Sequence, residues 1–143
     1  MNQLPFHNSQ KNSFTPPPRL DLANSNDLPI VAKLNTSYKL WHGFLIKLPR
    51  LTRYTLGVKV DNLFSDCLEL ALIAGYTARA EKYVAIQKLS IRLDLLKFFL
   101  KVLWELKGLD NRKYTTLSVQ LTEIGKMVGG WMTSLKKETL PIV

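Results

Sequence analysis

Chemistry-bearing side chains are scarce in this chain. One cysteine and two histidines occur in 143 residues. A lone Cys67 excludes an intramolecular disulfide and a thiolate metal cage. Its neighbours Phe64, Leu68 and Leu70 predict a small buried hydrophobe. His7 falls in a polar leader, and His42, on the first predicted helix, reads as a surface or packed side chain rather than a general base. No Glu-x-x-His pair is present, which excludes a carboxylate di-metal bundle. A phosphate-binding loop, a GxSxG elbow and Cys–His zinc spacings are missing too. Asp61 and Asp66 do not stand at i, i+4 spacing on one helical face. These gaps predict a non-enzyme with no cofactor, no metal and no catalytic residue.

Long apolar runs are also lacking. The longest uncharged one, Leu70 to Tyr76, is far short of the ~20 residues that span a bilayer. Met1–Gln10 is polar and does not read as a signal peptide. An intracellular, cytoplasmic protein with no membrane contact is expected. No stretch alternates in the manner of a strand.

Proline and glycine are absent from Lys82 to Lys107, so nothing there breaks a helix. Such a helix is about 39 Å long at 1.5 Å per residue. Tyr83, Ile86, Leu89, Leu93, Leu96, Leu100 and Leu103 fall on one face. A second apolar row, Ile91, Leu95, Phe98, Val102 and Leu106, lies beside it. Lys97, Lys101 and Glu105 form a narrow strip opposite. Two apolar rows exceed what one partner helix covers, so this helix is expected at the centre of a bundle or against other subunits.

Three further helices surround it in the chain. Residues 1–27, rich in Asn, Ser and Pro, predict a disordered tail, and 28–143 the folded domain. Asn26 or Asp27 is the expected cap of the first helix, with Pro29 in its opening turn and Pro49 as its end. Its stripe is Ile30, Leu34, Tyr38, Trp41, Leu45 and Leu48. Leu48–Gly57 is expected to be partly helical and packed through Leu51, Tyr54 and Leu56. The second helix, from about Val58 to Gly75, buries Val60, Leu63, Phe64, Cys67, Leu70, Ala71 and Ala74, and carries Asp61, Asp66 and Glu69 outside. Gly108 closes the long third helix. Thr115 or Thr116 is the expected cap of the fourth, which aligns Leu117, Leu121, Ile124, Val128, Trp131 and Leu135. Gly125, Gly129 and Gly130 are costly in that helix and suggest close approach by a backbone or a bulky ring. Short connections and four amphipathic helices argue an antiparallel up-down four-helix bundle.

Charge supplies the functional signal. There are 20 Lys and Arg against 11 Asp and Glu, a net +9 that lies wholly in residues 28–143. Such an excess attracts polyanions, nucleic acid foremost. The candidate phosphate contacts are Arg50, Arg53 and Lys59 after the first helix, and Arg79, Lys82, Lys88, Arg92, Lys97 and Lys101 along the third. The plain alternative is a merely solvated basic face. Phe98, Phe99 and Trp104 read as core or subunit interface rather than base-stacking platforms, and Trp131 joins them as a candidate interface ring.

RYTLG (Arg53–Gly57), LALIAGY (Leu70–Tyr76), IRLDLLKFFLKVLWELKGL (Ile91–Leu109) and EIGKMVGGWMTSLKK (Glu123–Lys137) resemble the accessory variability determinant, Avd, of diversity-generating retroelements. The resemblance covers about residues 30–137. It implies a basic four-helix bundle, bacterial or phage-encoded, that assembles as a homopentameric barrel. The implied partners are the retroelement reverse transcriptase and its template-repeat RNA, with DNA as a competing polyanion. Together they perform mutagenic, adenine-directed cDNA synthesis, and the polymerase chemistry belongs to the partner. The helical pattern is shared with bundle proteins encoded in intervening sequences of bacterial 23S rRNA genes. A structural or scaffolding bundle of that type is therefore the alternative; LLKFFLKVL followed by the GGW helix favours the first.

Overall fold

A computed structural model describes residues 28–139, except for the side chains of Arg79, Glu138 and Thr139. The expected tail at 1–27 and the caps Asn26 and Asp27 lie outside the described residues. Within them the chain is helical, with no strand. The elements are α1 (Pro29–Leu45), the single turn α2 (Arg50–Thr52), a π-helical turn (Arg53–Gly57), α3 (Val58–Tyr76), α4 (Arg79–Glu105) and α5 (Asn111–Thr139). Backbone angles stay helical from Arg53 through Val58, so α2, the π turn and α3 run on without a break. Four long helices result.

Their register follows from pairs that cross the bundle. Lys33 and Ser37 of α1 meet Glu123 and Gln120 of α5, in reversed order. Tyr38 and Trp41 meet Phe64 and Asp61 of α3. Lys59 and Asp66 of α3 meet Phe99 and Arg92 of α4. Trp104 of α4 meets Asn111 and Tyr114 of α5. Each adjacent pair is therefore antiparallel, and the helices close a ring in the order α1, α3, α4, α5. This is the expected up-down four-helix architecture.

The core is aliphatic. Leu34, Leu63, Ile86, Leu89, Leu93, Leu96, Leu100, Leu103, Leu117 and Leu121 are buried together with Trp41 and Phe64. These are the a/d-type rows read from the sequence. The Trp41 and Phe64 rings stack at 6.1 Å between centroids. The Trp41 indole N–H donates to Asp61 Oδ1 at 3.2 Å, which ties α1 to α3 and satisfies a donor that burial would otherwise orphan. Ser37, also buried, donates its hydroxyl to Gln120 Oε1 at 2.7 Å.

Several boundaries differ from the expectation. α1 ends at Leu45, and Ile46 to Leu48 form a turn before Pro49. Leu28 takes the cap position with no side-chain bond, and Pro29 opens the helix as anticipated. α5 begins at Asn111, a turn before Thr115. Asp110 caps it, its Oδ1 accepting the Lys113 N–H at 2.8 Å. Trp104 stacks on Tyr114 at 4.8 Å and donates to Asn111 Oδ1 at 2.8 Å, which holds that extra turn. Gly129 and Gly130 face open space, so no backbone or ring among the described residues explains them. Trp131 is half-buried rather than enclosed. No described helix is long and apolar enough to cross a membrane.

Candidate functional site

Two surfaces stand out, one apolar and one basic. The apolar one is the outer face of α4. Ile91 is 61 % exposed, Phe98 58 % and Leu106 66 %. Val84 and Leu95 extend the row, and Val102 is half-buried. The α4 face turned inward is filled by Leu89, Leu93, Leu96, Leu100 and Leu103. The second apolar row read from the sequence is therefore left uncovered by the described helices. Large exposed apolar patches are uncommon on monomers.

The interface candidates differ in their surroundings. Phe98 is open and meets Phe99 edge-on at 5.4 Å. Phe99 lies half-buried under the Lys59 ammonium, 5.4 Å above its ring. Trp104 is engaged inside the chain, as described. Trp131 lines a shallow cleft with Leu28, Ile30 and Met127.

The basic candidates fall into two groups. Along α4, Lys88 and Arg92 border a groove whose other wall carries Asp66 and Glu69. Arg92 Nε is 4.0 Å from Asp66 Oδ2, both side chains nearly half-exposed, so the pair is worth ~0–1 kcal/mol and softens the local positive field. Lys82 is half-buried and Lys101 exposed. Lys97 is half-buried, its Nζ 3.4 Å from where a Cβ on Gly125 would stand. Arg79 opens α4, but its side chain lies outside the described residues.

The second group surrounds the corner from α1 into α3. Arg53 turns inward: its Nη2 donates to the Leu48 carbonyl at 3.0 Å, and its Nε is buried without a partner among the described residues. Gly57 lies under the same corner, where an added Cβ would stand 2.9 Å from Leu45 Cδ1 and 3.3 Å from the Thr52 carbonyl. The RYTLG motif is thus a structural clamp with a π turn. Lys47, Arg50 and Lys59 stand exposed around it. Leu51 and Tyr54, expected to pack, are 78 % and 63 % exposed. The wider turn from Arg53 to Gly57 admits an extra residue, which rotates Tyr54 away from the bundle.

A family model described as bAvd-like matches residues 29–135. The chain belongs to the bAvd-like family. No protein among those with curated descriptions matches it. The match spans α1 to α4 and α5 as far as Leu135, and includes the clamp, the uncovered α4 face and the glycines of α5.

The thiol of this bAvd-like chain is not poised for chemistry. Burial pushes Cys67 up to about 12, with the Asp66 charge adding and Arg92 opposing. It is a protonated core side chain at neutral pH. Among the described residues no three His, Cys, Asp or Glu side chains converge as metal ligands do.

Proposed function

We propose that the protein is a non-catalytic accessory subunit of a diversity-generating retroelement. It binds the reverse transcriptase and the template-repeat RNA and supports mutagenic cDNA synthesis. The family match over residues 29–135 carries this reading. Two features of the molecule support it. The uncovered apolar face of α4 gives neighbouring copies something to bury, and a homopentamer is the assembly the family resemblance implies. A net charge of +9 gives a polyanion something to neutralise. Arg50, Lys59, Lys82, Lys88, Lys97 and Lys101 are the proposed backbone contacts, with Arg79 and Arg92 beside them. Arg53 supports that surface from below.

Co-expression with the neighbouring reverse transcriptase and its template-repeat RNA tests the proposal. All three are expected to elute as one complex that dissociates as salt rises, because counterion release drives phosphate binding. Elution of the chain apart from both partners at low salt would overturn it.

A further inference from the structure

We infer that the corner between α1 and α3 is a docking site for unpaired RNA, with Tyr54 as a base-stacking platform. This rests on the RNA-binding reading above and specifies its site and its strand preference.

Three observations carry it. First, Tyr54 is 63 % exposed, the most exposed aromatic ring among the large exposed hydrophobics of the described residues. Second, its setting is rigid. Arg53 is bonded to the Leu48 carbonyl, and the Thr55 hydroxyl donates to the Leu51 carbonyl at 2.9 Å. Gly57 holds the turn tight against Leu45 and Leu48. A ring presented on such a frame loses little conformational freedom when a base stacks on it. Third, the surroundings are cationic. No Asp or Glu occurs from Leu28 to Val60, while Lys47 and Arg50 before Tyr54 in the chain and Lys59 after it are exposed, the Lys59 ammonium lying over the Phe99 ring. Asp61, the first carboxylate, accepts the Trp41 indole N–H at the α1–α3 seam. From the end of α4 to the start of α5 the acids are Glu105, exposed, and Asp110, which caps α5.

An aromatic face flanked by ammonium and guanidinium groups is the pattern that holds single strands: the cations track phosphates while the ring stacks a base. A duplex offers phosphates but keeps its bases stacked inside, so Tyr54 adds nothing there. On α4, Asp66 and Glu69 face Lys88 and Arg92 across their groove, and the exposed ring, Phe98, belongs to the uncovered apolar row.

The test is fluorescence anisotropy with the full chain, a ten-nucleotide purine-rich single-stranded RNA, and an RNA duplex of the same length. Tyr54→Ala is expected to weaken single-strand binding by roughly tenfold and duplex binding by less than about twofold. Tyr54→Phe should retain both. Tyr54→Leu keeps apolar bulk at the corner and should match the alanine variant, which separates stacking from folding. Arg50→Glu should weaken both probes and lower the salt slope by about one. If Tyr54→Leu binds the single strand as wild type does, the inference fails while RNA binding stands. If the native protein binds neither probe at low salt, the RNA-binding reading itself fails.

Discussion

Lys107 takes a left-handed backbone, φ 66°, in the turn that closes α4. Its N–H donates to the Trp104 carbonyl at 2.9 Å and that of Gly108 to the Leu103 carbonyl at 2.8 Å. This double closure wants glycine at the left-handed position, yet the glycine stands one residue later. Gly108 is needed for a different reason: a Cβ there would lie 2.5 Å from Leu103 Cδ1. Lys107→Gly should therefore raise stability by about 1 kcal/mol, seen as a higher melting midpoint. An unchanged or lower midpoint would remove the strain argument. Cys67 makes a second prediction at this scale. Its folded value lies above the ordinary thiol value of 9.0, so the fold favours the neutral form. That contribution is present at neutral pH and is lost as pH rises from about 9 toward 12. Tyr38, raised by burial and then by its hydrogen bond to Asp61 and the Asp61 charge, acts in the same direction. Cys67→Ala should flatten the alkaline decline of stability in denaturant titrations. A slope identical to wild type would show that the thiol is not protected.

The helices differ in how much of them the sequence disclosed. Spacing of apolar residues identified the buried faces of α1, α3, α4 and α5 because burial imposes a period of 3.6. The uncovered row of α4 was visible for the same reason. Leu51 and Tyr54 were misplaced, since the π turn breaks that period and no residue type announces it. The start of α5 was set too late: Asp110 is an ordinary cap, but its signal sits inside a polar stretch that resembles a turn. The pairing of Arg92 with Asp66 joins residues far apart in the chain and could not be read from local pattern. Gly57→Ala should destabilise the corner by about 1–3 kcal/mol, because Leu45 Cδ1 and the Thr52 carbonyl leave no room. Chemical denaturation checks this, and a neutral result would show that the corner yields. Trp131→Ala should cost about 2 kcal/mol in the same assay, less than for a fully enclosed ring, since the side chain is half-exposed. A loss as large as that of an enclosed tryptophan would mean that a neighbouring copy covers it.

At the scale of the whole molecule, the family fold leaves an apolar stripe on α4, and the chain carries a positive excess. Phe98→Glu combined with Leu95→Glu changes only the outer row of α4, so helix content should persist while assembly is lost. Light scattering reads this directly: five chains of 16.4 kDa give about 82 kDa for the proposed pentamer, against a single chain expected for the variant. A native monomer at micromolar concentration would rule out the barrel. The role itself is read from the cDNA. The partner reverse transcriptase is supplied with template-repeat RNA, with and without this protein, and the products are sequenced. The expected result is cDNA with substitutions at template adenines only when the protein is present. The same yield and the same substitutions in its absence would contradict an accessory role.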